Sequence, residues 1–208
     1  MIGELATQIL AAVHSTSPAE TAAVLLALAY LVLAIRESQA CWFAAFASSA
    51  LYVLVLFRAR LYMESLLNVF YAGMAVYGWW QWHGGRNGDA LRVCRWSWRA
   101  HAAGFAAVLA ASLLTSRWLG ANTAAAWPLA DSLVTWSSVF ATFLVARKVY
   151  ENWHWWLVID SAAAYLYFTR HLYATMLLFL LYLVLIVVGM RQWRRSLDAA
   201  AGARPVPA

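Results

Sequence analysis

Charge is scarce in this chain. Of 208 residues only 12% are charged, 15 basic and 9 acidic, where about a quarter would be usual in a soluble domain. So few charges cannot solvate a protein in which 64% of residues are hydrophobic and mean hydropathy is +0.65. A soluble fold is excluded, and a multi-span membrane protein is implied. Cysteine is almost missing: Cys41 and Cys94 lie far apart without metal-ligand spacing, so no disulfide framework or zinc site is indicated. There is no Gly-rich phosphate loop, Walker lysine, HExxH spacing or recognisable nucleophile motif. These absences leave no enzyme reading, no implied cofactor and no ATP-driven pump. Basic residues are missing from the N-terminus, the first being Arg36, so the apolar run near residue 20 reads as a retained span and not a cleaved signal. The net charge of +6 lies in short clusters between apolar runs, where it contacts lipid headgroups; nucleic acid is not an expected partner.

What the chain does have is a repeat. The segment from Leu61 to Trp82 recurs from Leu172 to Trp193, with Leu61/Leu172, Tyr62/Tyr173, Leu66/Leu177, Tyr71/Tyr182, Gly78/Gly189, Gln81/Gln192 and Trp82/Trp193 sharing one offset of 111 residues. The same offset joins Trp42/Trp153, Arg36/Arg147 and the acidic pair Glu20/Asp131. Apolar runs predict seven spans: Glu20 to Ile35 (or from near Thr16), Ala40 to Phe57, Tyr62 to Trp82, Trp98 to Trp118, Trp127 to Ala146, Trp153 to Thr169 and Leu172 to Gln192. The expected fold is an all-α integral membrane domain covering residues 1–208. Repeat 1 covers about 20–83 and repeat 2 about 127–193, and a joining helix at about 98–118 gives a 3+1+3 plan with parallel halves. A disordered tail is expected over about 198–208. Eleven of the 15 basic residues fall on the side of Arg36, Arg147 and the C-terminus. The positive-inside rule then puts the N-terminus outside and the C-terminus in the cytoplasm.

A few polar residues lie where a bilayer disfavours them. Asp160 falls near the middle of the sixth span, at a cost of about 2.5 to 3.5 kcal/mol on insertion scales. Helical spacing puts Trp153, Trp156, Asp160 and Tyr167 on one face, an arrangement suited to a flat cation. On the third span Glu64, Asn68, Tyr71, Ala75, Trp79 and Trp82 share a face, and on the fifth Asp131, Thr135, Ser138 and Thr142 form a polar stripe beside Trp136. Three such faces are enough to line a cavity. Each has a plainer reading. Trp42, Trp82, Trp127, Trp153 and Trp193 lie near span ends, where tryptophans anchor in the interface; Glu20, Glu64 and Asp131 fit headgroup contact; Ser and Thr can bond back to their own helix.

The stretch from Arg147 to Trp156, RKVYENWHWW, followed by Asp160, Leu172–Tyr173, Gly189 and Trp193, resembles the second half of the PnuC-type vitamin transporters. The block from Leu61 to Trp82 resembles the third span of that family. The resemblance covers Glu20 to Trp193. It implies a seven-span homotrimer in a bacterial-type inner membrane. Its implied activity is facilitated diffusion of a small vitamin precursor, best known for nicotinamide riboside, which a separate cytoplasmic kinase traps. Carried over by position, the pocket would hold Asn68 and Tyr71, Asp131 and Thr135, Trp153, Trp156 and Asp160, and Tyr182. Nicotinamide riboside members often carry Asn at the position of Asp160 and Gln at that of Asn68. Thiamine, riboflavin and a proton-coupled mechanism using Asp160 therefore stand as alternatives, and a membrane scaffold without transport is the rival from another class.

Overall fold

The computed structural model describes residues 17–58, 60, 62–84, 91–122, 127–169, 171 and 173–202. Arg86, Arg170, Leu61, Leu172, the side chains of Tyr62 and Glu64, and the tail from residue 203 lie outside the described residues. Among the described residues the chain forms seven helices: α1 Pro18–Ile35, α2 Ala40–Arg58, α3 Tyr62–Trp82, α4 Trp98–Asn122, α5 Pro128–Ala146, α6 Asn152–Thr169 and α7 Tyr173–Gly202. By length and composition α1, α2, α4, α5 and the stretch Thr175–Ala200 of α7 can each cross a membrane. Helices α3 and α6 are more polar, and their polar groups turn inward: Ser65, Asn152 and Asp160 are all buried. Inward burial is how a span tolerates such residues.

Local chemistry starts and ends these helices. The Ser17 hydroxyl accepts the Glu20 N–H at 3.2 Å, and Pro18 follows in the first turn, so the first helix begins two residues before Glu20. Helix α7 runs on through Asp198 to Gly202, past the expected start of a disordered tail, because Ala199 to Ala201 are strong helix formers. Helices α1 and α5 end in the same motif. The Ser38 N–H reaches the Leu33 carbonyl at 2.9 Å and the Glu37 N–H reaches Ala34; Val149 to Leu144 and Lys148 to Val145 repeat both bonds. Glu37 (φ 55°) and Lys148 (φ 50°) stand in the left-handed position where glycine is usual, a strain of about 1–2 kcal/mol each. They are 111 residues apart and form an ion pair with each other, Nζ to Oε2 at 3.2 Å, which glycine could not make.

The first three helices pack in sequence, α1 on α2 and α2 on α3, as do α5 on α6 and α6 on α7, while α4 packs on α5. The two sets meet through α3 with α5 and α1 with α7. Trp82 Nε1 donates to the Val145 carbonyl at 3.3 Å, and Trp193 Nε1 donates to the Ala34 carbonyl at 3.0 Å, so each helix triplet caps a carbonyl of the other. The loop from Leu91 joins this end, with Cys94 N–H to the Lys148 carbonyl at 3.0 Å and Tyr150 N–H to the Cys94 carbonyl at 2.8 Å. Burial pushes the Cys94 thiol up from its ordinary pKa, and the Glu151 carboxylate adds to the effect.

The expected interfacial belt fails for four of its five tryptophans. Trp42, Trp82, Trp153 and Trp193 are 2% exposed or less; only Trp127, at 67%, faces outward. They turn in because Gly78 and Gly189 leave flat gaps on α3 and α7. An added Cβ at either glycine would come within 3.0 Å of the Trp42 or Trp153 indole. Trp42 then meets Trp82 edge to face at 5.4 Å and 86°, and Trp153 meets Trp193 at 5.4 Å and 87°.

Candidate functional site

A cavity of about 210 Å³ lies in the bundle, lined by Ala27, Tyr30, Trp42, Ala45, Ser48, Ser49, Tyr52, Asn68, Tyr71, Thr142 and Trp156. Nine of these eleven come from α1, α2 and α3; α5 gives Thr142 and α6 gives Trp156. Sequence spacing explains the inner faces. On α2, Trp42, Ala45, Ser48, Ser49 and Tyr52 recur at helical intervals, and on α3 so do Asn68 and Tyr71. Two walls are already fixed by bonds: Ser48 Oγ donates to the Ala23 carbonyl at 2.8 Å and Thr142 Oγ1 to the Ser138 carbonyl at 2.8 Å. The Tyr71 hydroxyl is hydrogen-bonded to Ser138, which ties α3 to α5 beside the cavity. The wall therefore offers flat aromatic rings, neutral hydroxyls and one amide, with no charged side chain.

Of the residues expected from sequence, the structure brings Asn68, Tyr71 and Trp156 to this cavity, together with Thr142 of the polar stripe on the fifth span. Trp153 lies behind it, packed on Gly189 and Trp193. Asp160 is buried at 7% exposure but is not in the lining; it lies within electrostatic range of Tyr182, as does Tyr52 of the cavity wall. No hydrogen bond or ion pair to Asp160 occurs among the described residues. Tyr182 is half-buried and stacks edge to face with Phe179 at 5.6 Å. Asp131 is exposed in the first turn of α5, where a carboxylate complements the helix dipole, and Thr135 is half-buried outside the lining. Trp79, 38% exposed, stacks on His83 at 5.5 Å and also falls outside it. Sequence reasoning missed Tyr30, Tyr52, Ser48 and Ser49. Their signal was the difference between repeats: 111 residues on stand Ala141, Ala163, Ile159 and Asp160.

A family model described as nicotinamide mononucleotide transporter matches residues 17–195. The chain belongs to this family, that of the PnuC-type transporters. It is 25% identical over 191 residues to the nicotinamide riboside transporter PnuC of Escherichia coli (strain K12), covering 79% of this chain and 80% of that protein. It is 27% identical over 137 residues to the riboflavin/roseoflavin transporter RibM of Streptomyces davaonensis, covering 64% and 63%. The fold is similar to the crystal structure of the vitamin B3 transporter PnuC, with a TM-score of 0.73 at 19% identity over 95% of this chain and 90% of that one. The protein is thus an all-helical, multi-pass membrane transporter of the PnuC type.

Proposed function

We propose that the chain carries nicotinamide riboside into the cytoplasm by facilitated diffusion, with a separate cytoplasmic kinase trapping the product. The observation that carries this reading is the cavity itself. Its 210 Å³ lies below the range of about 300–1,000 Å³ usual for drug-sized ligands. That size favours a single aromatic ring with one sugar over a tricyclic flavin. Trp156 and Trp42 can flank the ring, while Asn68, Ser49 and the tyrosine hydroxyls face the ribose and carboxamide. Asp160, buried behind the wall with no hydrogen-bond or ion-pair partner among the described residues, supplies a negative potential for the cationic ring. Repeat 1 (about 20–83), the joining helix and repeat 2 (about 127–193) form the 3+1+3 plan, supported by the reciprocal contacts between the triplets. We place the Arg-rich end in the cytoplasm of a bacterial-type inner membrane and take the assembly to be a homotrimer.

Riboflavin is the second reading, favoured by two observations, the RibM relative and the neutral cavity wall. A thermal-shift panel of detergent-purified protein with nicotinamide riboside, thiamine and riboflavin tests the substrate. A ligand at about 100 times its Kd stabilises the folded state by about 2.7 kcal/mol. A shift with riboflavin alone overturns the first reading. Uptake into proteoliposomes that stops when the proton gradient is collapsed overturns uniport.

A further inference from the structure

Between the cavity and the Arg-rich end stand four indoles. Trp42, on the cavity wall, meets Trp82; Trp82 meets Trp193 at 6.2 Å; Trp193 meets Trp153. Behind them the Lys148 ammonium sits 4.5 Å from the centroid of the Trp82 ring and 3.2 Å from Glu37 Oε2. Glu37 in turn lines a crevice of about 290 Å³ with Leu91, Arg92, Val93, Ser196 and Ala200. The order from the cavity outward is therefore rings, ion pair, crevice.

We propose that this stack is the inner gate of the pathway, the four indoles acting as plug and the Glu37–Lys148 pair as latch, which must part for a ligand to leave toward the Arg-rich end. The proposal rests on the transport reading above. Three features carry it. The plug has no room for a ligand: its rings are 2% exposed or less. Four of the bonds that join the helix triplets gather here, namely Glu37 to Lys148, Trp82 to Val145, Trp193 to Ala34 and Arg147 Nη1 to the Tyr77 hydroxyl at 3.4 Å. Because the contacts are reciprocal, one separation of the triplets breaks them together.

The third feature is opposition within the closed state. The indole N–H groups of Trp42 and Trp153 are buried with no partner among the described residues, at equivalent positions of the repeat. Glu37 and Lys148 hold left-handed backbone to reach each other. Orphaned donors and backbone strain favour opening, while the ion pair and the crossed indole bonds favour closure. An element balanced in this way can be shifted by a modest change in free energy.

Cys41, fully buried in the first turn of α2 and packed in the same cluster, is a native reporter. In a Cys94→Ser background it is the sole thiol, and full-length protein in inside-out proteoliposomes is exposed to a membrane-impermeant maleimide. Glu37→Gln removes the latch yet keeps the Lys148 cation, and is expected to raise the labelling rate by about tenfold. The swap Glu37→Lys/Lys148→Glu is expected to return the rate to that of the parent, since both residues keep the same backbone. An unchanged rate in Glu37→Gln overturns the latch, and so does a swap that labels above the parent rate. If Glu37→Gln does not fold, the swap compared with Glu37→Lys alone decides by the same criterion. Labelling needs no ligand, so a protein that opens as described but takes up no vitamin would overturn the transport reading and leave the latch standing.

Discussion

Gly78→Ala and Gly73→Ala place the same methyl group on the same helix five residues apart, and the structure assigns them opposite outcomes. At Gly73 nothing lies within 4 Å of the added carbon. Only helix propensity acts there, worth about 1 kcal/mol in favour of alanine. At Gly78 the carbon would meet the Trp42 indole inside 3.0 Å. That ring cannot retreat, because Trp82 abuts it at 5.4 Å and Tyr30 at 6.0 Å. Overpacking a rigid site costs about 1–3 kcal/mol, and the clash with a fixed ring puts Gly78→Ala at the upper end. Net of propensity the variant loses about 2 kcal/mol. At about 2–4 °C per kcal/mol for a chain of this size, Gly73→Ala should melt about 2–4 °C higher than the parent and Gly78→Ala about 4–8 °C lower. Gly189→Ala, which meets Trp153 in the same way, should match Gly78→Ala. Thermal unfolding of detergent-purified protein, followed by tryptophan emission, reads all three. A Gly78→Ala protein as stable as Gly73→Ala would refute the packing of Trp42 against α3, and with it the burial of the tryptophan cluster.

Trp156→Ala is expected to weaken vitamin binding by at least about tenfold, because it removes a ring from the cavity wall, whereas Trp79→Ala should leave affinity unchanged; isothermal titration of both separates the two tryptophans. Asp160→Asn should reduce binding of a cationic vitamin by about tenfold and leave neutral riboflavin within about twofold, as only the cation loses a counter-charge; equal losses would show that Asp160 acts structurally. Trp82→Phe and Trp193→Phe each leave one helix-end carbonyl without its indole donor and should destabilise by similar amounts, about 1–3 kcal/mol; a large inequality would mean the two halves do not share one geometry.

Much of the fold was legible because apolar length and duplication are additive, one-dimensional signals. Six of the seven spans came within a few residues of the observed helices, the last helix running ten residues past its expected end, and Gly78/Gly189 and Trp82/Trp193, matched in the repeat, belong to one shared packing unit. The tryptophans were misread as interfacial for a physical reason. Closeness to a span end is visible in sequence, but direction depends on what faces the ring across the bundle, and here that is a glycine gap on another helix. The left-handed turns at Glu37 and Lys148 were hidden for the same cause, since the reason for a non-glycine there is a partner 111 residues away.

The cavity shows how the two repeats differ in use. Charge and aromatic motifs drew attention to the second repeat, which holds Asp160, Trp153 and Trp156. Yet the space lies mainly against the first, where Tyr30, Tyr52 and Asn68 stand opposite Ala141, Ala163 and Phe179 of the repeat. Within the lining, Trp156 occupies the register that Ala45 holds in the first repeat, and both face the cavity. A large ring on one side needs a small residue at its equivalent on the other, or the two would collide. Duplication alone would give two equal walls; the Ala45/Trp156 inequality opens room for one flat ligand between them. Ala45→Trp should therefore fill the cavity and abolish binding while leaving the latch intact. A variant that still bound vitamin with parental affinity would place the ligand elsewhere.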